Sequence, residues 1–404
     1  MRRTRVPGAR RLPDDIPLPA PPEVLRKGPL REGAFRTALH DPRTAVVVGR
    51  LLGTAFVLCF LTGVLSHLMQ HQPGWLAFPS RPVRGYQVTQ GLHVAAGIAA
   101  VPLLLVKLWV VYPRLYVWPP ARSLRHALER LSIAVLVATA LFELATGLIN
   151  IVQWYPWAFP FVPVHYWVGW VLTGALVLHI GVQLPVITEH WRRGPEADPP
   201  PPAGDGTPSR RGLLAALGAS VGVVTLATIG QTVSPLAKAS PLAPRRPGIG
   251  PQRLPVNRTA AQAGVLQPIR DPAWRLTIAG GPVEVSLSRE ELLAMPQHSV
   301  WLPIACVEGW SASAQWTGVR VRDLMDRVGA PKGATLRVFS LEQFSPYSVM
   351  EMRREYTRDP LTLLALGVNG EALAEDHGYP ARIIAPNRPG VLQTKWVDRM
   401  EVLT

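Results

Sequence analysis

Cys306 closes the apolar stretch Val300-Trp301-Leu302-Pro303-Ile304-Ala305 and opens the run Cys306-Val307-Glu308-Gly309-Trp310-Ser311. The chain has one other cysteine, Cys59, in an apolar run of membrane-spanning length, so Cys306 has no disulfide partner in its own domain. Free cysteine is often simply buried, and packing alone is one account of it. The other account is chemical: a thiolate is a soft ligand suited to a redox metal, and coordination holds it deprotonated. A second group of candidates is histidine. His165 and His179 are 179 − 165 = 14 residues apart, nearly four helical turns or about 21 Å of rise, so both project from nearly one face of a helix. His93 and His67 stand near the ends of two further apolar runs.

The cysteine run, followed by Trp316-Thr317-Gly318 and the helix-like Val321-Arg322-Asp323-Leu324-Met325, resembles the molybdenum-binding core of the sulfite-oxidase family. The likeness extends over nearly all of residues 255–404, through Asp376-His377-Gly378-Tyr379-Pro380, Arg382 and Gln393-Thr394-Lys395-Trp396. It implies a molybdenum-molybdopterin cofactor, with Cys306 as the metal's protein ligand and the catalytic residue. By the same resemblance Arg382 and Lys395 hold the pterin phosphate, as a guanidinium fork and a point charge. Gln393 and Thr394 belong to the same pterin-binding segment, and His377 hydrogen-bonds the cofactor near the metal. Ser340 matches a hydroxyl-bearing position and Asn257 an access-loop contact.

The implied reaction is two-electron oxygen-atom transfer on a small oxyanion or a sulfur or nitrogen oxide, with water giving or taking the oxygen. Two departures bear on the substrate. Arg388-Pro389-Gly390-Val391-Leu392-Gln393 replaces the family's usual Tyr-Gly-x-Lys segment, and the arginine cluster that vertebrate-type sulfite oxidases aim at their anion has no counterpart. Sulfite is therefore one candidate among several.

The elements that must position these groups fall into two classes. Of 404 residues, 48% are hydrophobic and only 17% charged, with 42 prolines and a formal charge of +15. The length permits two or three domains, part membrane and part globular. Arginines crowd the first residues and particular loops between apolar runs, where they orient a membrane protein, and no basic, aromatic-interleaved module for nucleic acid is visible.

Residues 1–43, rich in Arg and Pro, read as a disordered cytoplasmic tail without a cleavable signal pattern. Apolar runs at about 44–66, 90–111, 128–150, 165–187 and 212–233 each approach the roughly 20 residues that span a bilayer. The boundaries drawn are a four-helix cytochrome b-like membrane domain at 44–190, a Pro-rich linker at 191–211, a fifth transmembrane helix at 212–233, a Pro-rich tether at 234–255 and a molybdopterin-binding domain at 256–404. Arg114, Arg122 and Arg125 in one loop, and Arg192, Arg193, Arg210 and Arg211 in another, predict an N-terminus inside and a C-terminal domain outside the cell membrane. Ser209-Arg210-Arg211-Gly212-Leu213-Leu214 resembles a twin-arginine export signal. Ala237-Lys238-Ala239 looks like a cleavage site, and is expected to stay uncut.

Beyond residue 255 the pattern changes. Alternation and β-branched content predict strands at Trp274–Ile278, Val283–Leu287, Leu336–Phe339, Arg382–Ile384 and Lys395–Val402, a hairpin turn at Asn369-Gly370, and helices near Arg289–Met295 and Arg320–Val328. The expected fold is thus an α-helical membrane bundle of four helices plus a tether helix, followed by an α+β domain of the sulfite-oxidase type.

The His165/His179 spacing resembles the haem-bearing helix of bacterial membrane cytochromes b. That resemblance implies haem b between His93 and His165, with His67 in reserve, and a second haem at His179, for which no partner at its depth is found. Arg50 is a candidate for a haem propionate and Glu143 for a quinol proton. The alternative is that His67, His93 and His165 are interfacial residues beside the Trp/Tyr belt. The functional expectation is a membrane-bound oxidoreductase exchanging electrons with quinone, quinol or another carrier. Two others stand beside it: a quinol-fed sulfoxide or N-oxide reductase, and a metal-free membrane-anchored binding module.

Overall fold

The computed structural model describes residues 20, 22–27, 39–115, 123–192 and 209–403. Most of the expected tail, Arg122, Arg193 and the proline run of the linker lie outside the described residues. Among the described residues five helices are long and apolar enough to cross a membrane. They are α1 (Pro42–Gln70), α2 (Gly85–Leu115), α3 (Leu124–Ile151), α4 (Phe161–Arg192) and α5 (Arg210–Ile229). The first four each contain one of the apolar runs, and α2 starts five residues before its run, whereas α5 ends at Ile229, four residues short of the expected 233, because Gly230 opens a turn there. That first part of α2 is polar, with Tyr86, Gln87 and Gln90, so hydropathy alone does not reveal it.

The chain forms two compact units. One consists of the described residues within 1–57, 97–148 and 157–222. Here Val48, Leu103 and Leu217, from α1, α2 and α5, are buried together, and Lys107 Nζ donates to the Ala45 carbonyl at 2.7 Å.

The other unit takes in residues 58–96, 149–156 and 223–404. Its globular part holds β1 (Arg275–Ala279), β2 (Val285–Ser288), α6 (Arg289–Ala294), β3 (His298–Ala305), β4 (Ser311–Arg320), α7 (Val321–Arg327), β5 (Thr335–Ser340), β6 (Val349–Met352), β7 (Leu363–Val368), β8 (Glu371–Ala372), β9 (Arg382–Ile384) and β10 (Val397–Leu403). One sheet has the order β2-β1-β10-β5-β6, with β1 and β10 parallel and the other pairs antiparallel. The other is antiparallel, β3-β4-β7-β8, with β9 also on β7. Leu276, Ile278, Val338 and Met400 of the first sheet share one core with Leu364 and Ile383 of the second and Leu324 of α7. A second core gathers Leu302, Ile304, Cys306, Trp310, Trp316 and Ile384. Asn369 and Gly370 turn β7 into β8, both at positive φ (52° and 86°), as an Asn-Gly hairpin requires.

The segment between α1 and α2 belongs to this unit and is stapled to its sheets. Arg353 donates to the carbonyls of Leu76 (2.9 Å) and Pro73 (3.0 Å). Asn387 accepts from the Tyr86 amide at 2.7 Å and donates to the Pro79 carbonyl at 2.8 Å. Arg81 donates to Asp359 at 3.1 Å.

Candidate functional site

β3 ends at Ala305 and β4 begins at Ser311, so residues 306–310 form a tight loop between paired strands. The Cys306 amide donates to the Trp310 carbonyl (2.9 Å) and the Gly309 amide to the Cys306 carbonyl (3.1 Å). Gly309 turns the chain at φ 90°. A Cβ there would stand 2.6 Å from Val94 Cγ2 and 3.2 Å from Gln231 Nε2, so both conformation and space call for glycine.

Cys306 is 2% exposed, and burial, reinforced by the Glu308 carboxyl, pushes its thiol well above the ordinary range. Glu308 is itself raised by burial, and it accepts from Trp310 Nε1 at 3.1 Å and from Gln153 Nε2. The surroundings are not purely apolar. Tyr86, Tyr155 and Tyr347 all lie within electrostatic reach of the thiol, as does Lys395. Tyr155 is pushed up to about 12, by burial first and then by Glu308.

Three cations gather toward the C-terminal end of the chain. Arg382 is 4% exposed, donates to the carbonyls of His377 (3.0 Å) and Gln393 (3.2 Å), and lies 5.0 Å from the Trp316 ring centroid. Lys395 donates to the carbonyls of Arg258 (2.6 Å) and Asp376 (3.1 Å). Arg388 donates to the carbonyls of Leu392 (2.9 Å) and Glu351 (2.6 Å). Burial lowers all three: Arg382 to about 9, Arg388 to about 10, and Lys395, with Arg382 close by, to about 7. Gly378, at φ 104°, lets Arg382 and Lys395 approach; a Cβ on it would lie 3.1 Å from the Cβ of each.

The family model described as "oxidoreductase molybdopterin binding domain" matches residues 263–404. Residues 263–404 are a molybdopterin-binding oxidoreductase domain, similar to that of sulfite oxidases. Among curated relatives, mitochondrial sulfite oxidase of Drosophila melanogaster is 30% identical over 33% of this chain and 28% of its own. The catalytic subunit MsrP of a protein-methionine-sulfoxide reductase from Burkholderia mallei is 30% identical over 35% of this chain and 47% of its own. A solved structure, the sulfane dehydrogenase SoxCD of Paracoccus pantotrophus, is 26% identical over 32% of this chain and 38% of that one, with a TM-score of 0.30. The chain spans less than half the length of each of these relatives.

The residues of the molybdopterin-binding domain suit an anionic pterin. Two buried guanidiniums and a half-buried ammonium have only neutral carbonyls as hydrogen-bond acceptors, and among the described residues none has a carboxylate within 4.0 Å. Uncompensated buried charge is costly, and an anion relieves it. Arg382 Nε, Gln393 Oε1 and Thr394 Oγ1 are buried without a hydrogen-bond partner. Among the described residues no three His, Cys, Asp or Glu converge as a metal site. A metal at Cys306 would therefore need further ligands from a bound cofactor.

The other expected residues of this domain fall around the same strands. His377 is buried; its Nε2 donates to the Pro251 carbonyl at 2.7 Å, and burial lowers it to about 4. Ser340 donates to the Lys395 carbonyl at 2.8 Å. Asn257 is exposed, and its carbonyl accepts from Gln153 at 3.4 Å, beside Glu308.

The helical histidines divide between the two units: His67 and His93 in one, His165 and His179 in the other. His93 Nδ1 donates to the Cys59 carbonyl at 2.8 Å, and a Cβ on Gly63 would stand 2.9 Å from His93 Cε1. His165 Nδ1 is 3.0 Å from Glu143 Oε2. His67 stacks on His71 at 4.5 Å, and His179 has Lys107 and Glu129 as electrostatic neighbours.

Sequence reasoning missed several groups that touch the cysteine loop. Gln90 Nε2 and Asn150 Nδ2 donate to the Val307 carbonyl at 3.1 and 3.5 Å, Thr232 Oγ1 donates to the Gly309 carbonyl, and the Ser311 amide donates to the Gln231 carbonyl at 2.8 Å. All four residues precede the family segment. The one signal available was the unusual polarity at the ends of otherwise apolar helices.

Proposed function

We propose that the chain is a membrane-anchored molybdopterin enzyme carrying out two-electron oxygen-atom transfer on a small substrate outside the cytoplasm. The observation that carries this reading is the pair Arg382 and Lys395, with carbonyl partners only, of which Lys395 lies within electrostatic reach of the buried Cys306 thiol. The bound cofactor supplies the redox couple and the exchange of oxygen with substrate and water. Cys306 gives its thiolate, Arg382 and Lys395 hold the anionic end of the pterin, and Trp316 supports the Arg382 fork from beneath.

Two directions of flow fit this site. In one, sulfite gains an oxygen from water, releasing two protons and two electrons to a quinone. In the other, an S=O bond breaks, its oxygen leaves as water with two protons, and a quinol supplies the two electrons. The second is favoured by the side chains around Cys306, which are three tyrosines, Glu308 and one cation, Lys395, whose ammonium already donates to two backbone carbonyls. Such a lining suits an uncharged sulfoxide better than a dianion.

Five apolar helices support membrane anchoring, and the arginine-rich loops support an outward-facing catalytic domain. Export already folded, through the Arg210-Arg211 motif at the start of α5, would accommodate cofactor insertion in the cytoplasm. His93 and His165 are each a candidate haem ligand in their own unit, since a metal-bound imidazole commonly donates its other nitrogen to a carbonyl or carboxylate.

Metal and pterin analysis of the purified full chain tests the central reading, and about one molybdenum per chain is expected. A chain with neither metal nor pterin would leave a membrane-anchored binding module. Assays with sulfite plus an oxidising dye, and with dimethyl sulfoxide or methionine sulfoxide plus reduced viologen, decide the direction. A Soret band in the same sample tests the haem.

A further inference from the structure

The cysteine loop makes only two backbone hydrogen bonds to itself, Cys306 to Trp310 and Gly309 to Cys306. Trp310 Nε1 adds a bond to Glu308 from within the loop, and several further polar groups are satisfied from outside the molybdopterin-binding segment. The Val307 carbonyl takes Gln90 and Asn150, the Glu308 carboxylate takes Gln153, the Gly309 carbonyl takes Thr232, and the Ser311 amide reaches the Gln231 carbonyl. These four donors and one acceptor come from three separate stretches: the start of α2, the end of α3 with the turn after it, and the residues following α5. All lie in one compact unit with Cys306. The grip also extends backwards. Tyr86 packs on Ala305, Ser66 bonds both Tyr86 (3.2 Å) and Gln90 (2.9 Å), and Asn387 fixes the Tyr86 amide.

We propose that Gln90, Asn150, Gln153, Gln231 and Thr232 are positioning residues of the Cys306 site, so that the ends of the apolar helices set the geometry of the metal's thiolate ligand. The inference rests on the molybdenum reading above. A single-ligand attachment is unusually sensitive to such a grip, because a shift of one backbone loop moves the whole protein contribution to the metal. Hydrogen bonds to and around a metal ligand tune the centre's electronics as well as its position. The helices are then working parts of the catalytic centre and not only its anchor.

The test uses the full chain with Thr232→Val, which removes the hydroxyl at nearly constant volume, Thr232→Ser, which restores it, and Gln90→Leu. Four quantities are read: molybdenum per chain, the electron paramagnetic resonance spectrum of the half-reduced metal, kcat and KM with dimethyl sulfoxide or sulfite, and amide exchange over residues 306–311. Thr232→Val is expected to change the spectrum, speed exchange in the loop and lower kcat by about tenfold to hundredfold with KM held, the usual effect of losing a partner around a metal ligand. Thr232→Ser returns each towards wild type. If Thr232→Val does not assemble, Gln90→Leu decides, since Val307 keeps its Asn150 donor. Metal-loaded variants with the wild-type spectrum and kcat overturn the inference alone. A wild-type chain without molybdenum overturns the metal reading and the inference with it, and the metal content by itself identifies that case.

Discussion

The Arg382 guanidinium stands 5.0 Å from the centroid of the Trp316 ring, with both residues buried. Together they make a rigid positive platform: the indole fixes the plane of the fork, and the carbonyls of His377 and Gln393 fix its rotation. Arg382→Met keeps the volume and removes the charge. Hydrogen bonds to a charged group contribute about 1.5–3 kcal/mol, and 1.4 kcal/mol is tenfold in binding. Pterin released from the purified variant, measured by fluorescence, should fall at least about tenfold at limiting cofactor supply.

Cys306→Ser should abolish turnover while leaving the fold intact, because an alcohol at this position is neither soft nor readily ionised. The check is activity beside a thermal melt and a pterin assay. Activity near wild type would show that the thiolate is not the ligand.

Gly309→Ala places a methyl 2.6 Å from Val94 Cγ2 in a left-handed backbone conformation. A non-glycine residue held there costs about 1–3 kcal/mol. Chemical denaturation should show a loss of that order, and the loop amides 306–311 should exchange faster.

His377 gives a pH dependence with a definite sign. In the folded chain it stays neutral down to about pH 4, held there by burial, whereas an unfolded imidazole takes up its proton near 6.5. The unfolded state therefore binds more protons between those values, and stability rises with pH across them. This contribution is complete above pH 6.5 and is lost as pH falls towards 4. In cofactor-free chain, the acid-side slope of the melting temperature should be shallower in His377→Gln than in wild type.

Much of the fold was legible before any coordinates. Apolar runs located all five helices, and alternation located β1, β5, β9 and β10. The Asn369-Gly370 turn followed from residue type, because only such pairs accept two positive φ angles cheaply. β3 was less legible: Val300–Ala305 is a continuous apolar run, buried along most of its length, so period-two alternation is absent. The cluster around Arg382, Lys395 and Cys306 was reachable through family likeness, whereas their burial and carbonyl partners were not. The grip on the cysteine loop was invisible for a different reason. Gln90 and Val307 are 217 positions apart, and a contact of that span leaves no periodic trace in the chain.

That span also orders events in time. At about 5–20 residues per second of synthesis, Gln90 emerges roughly 10–40 s before the carbonyl it will bond. Throughout that interval the Val307 carbonyl, one of the Gln90 partners in the finished fold, does not yet exist. The side chain made first must therefore wait, polar and incomplete, for the carbonyl made last.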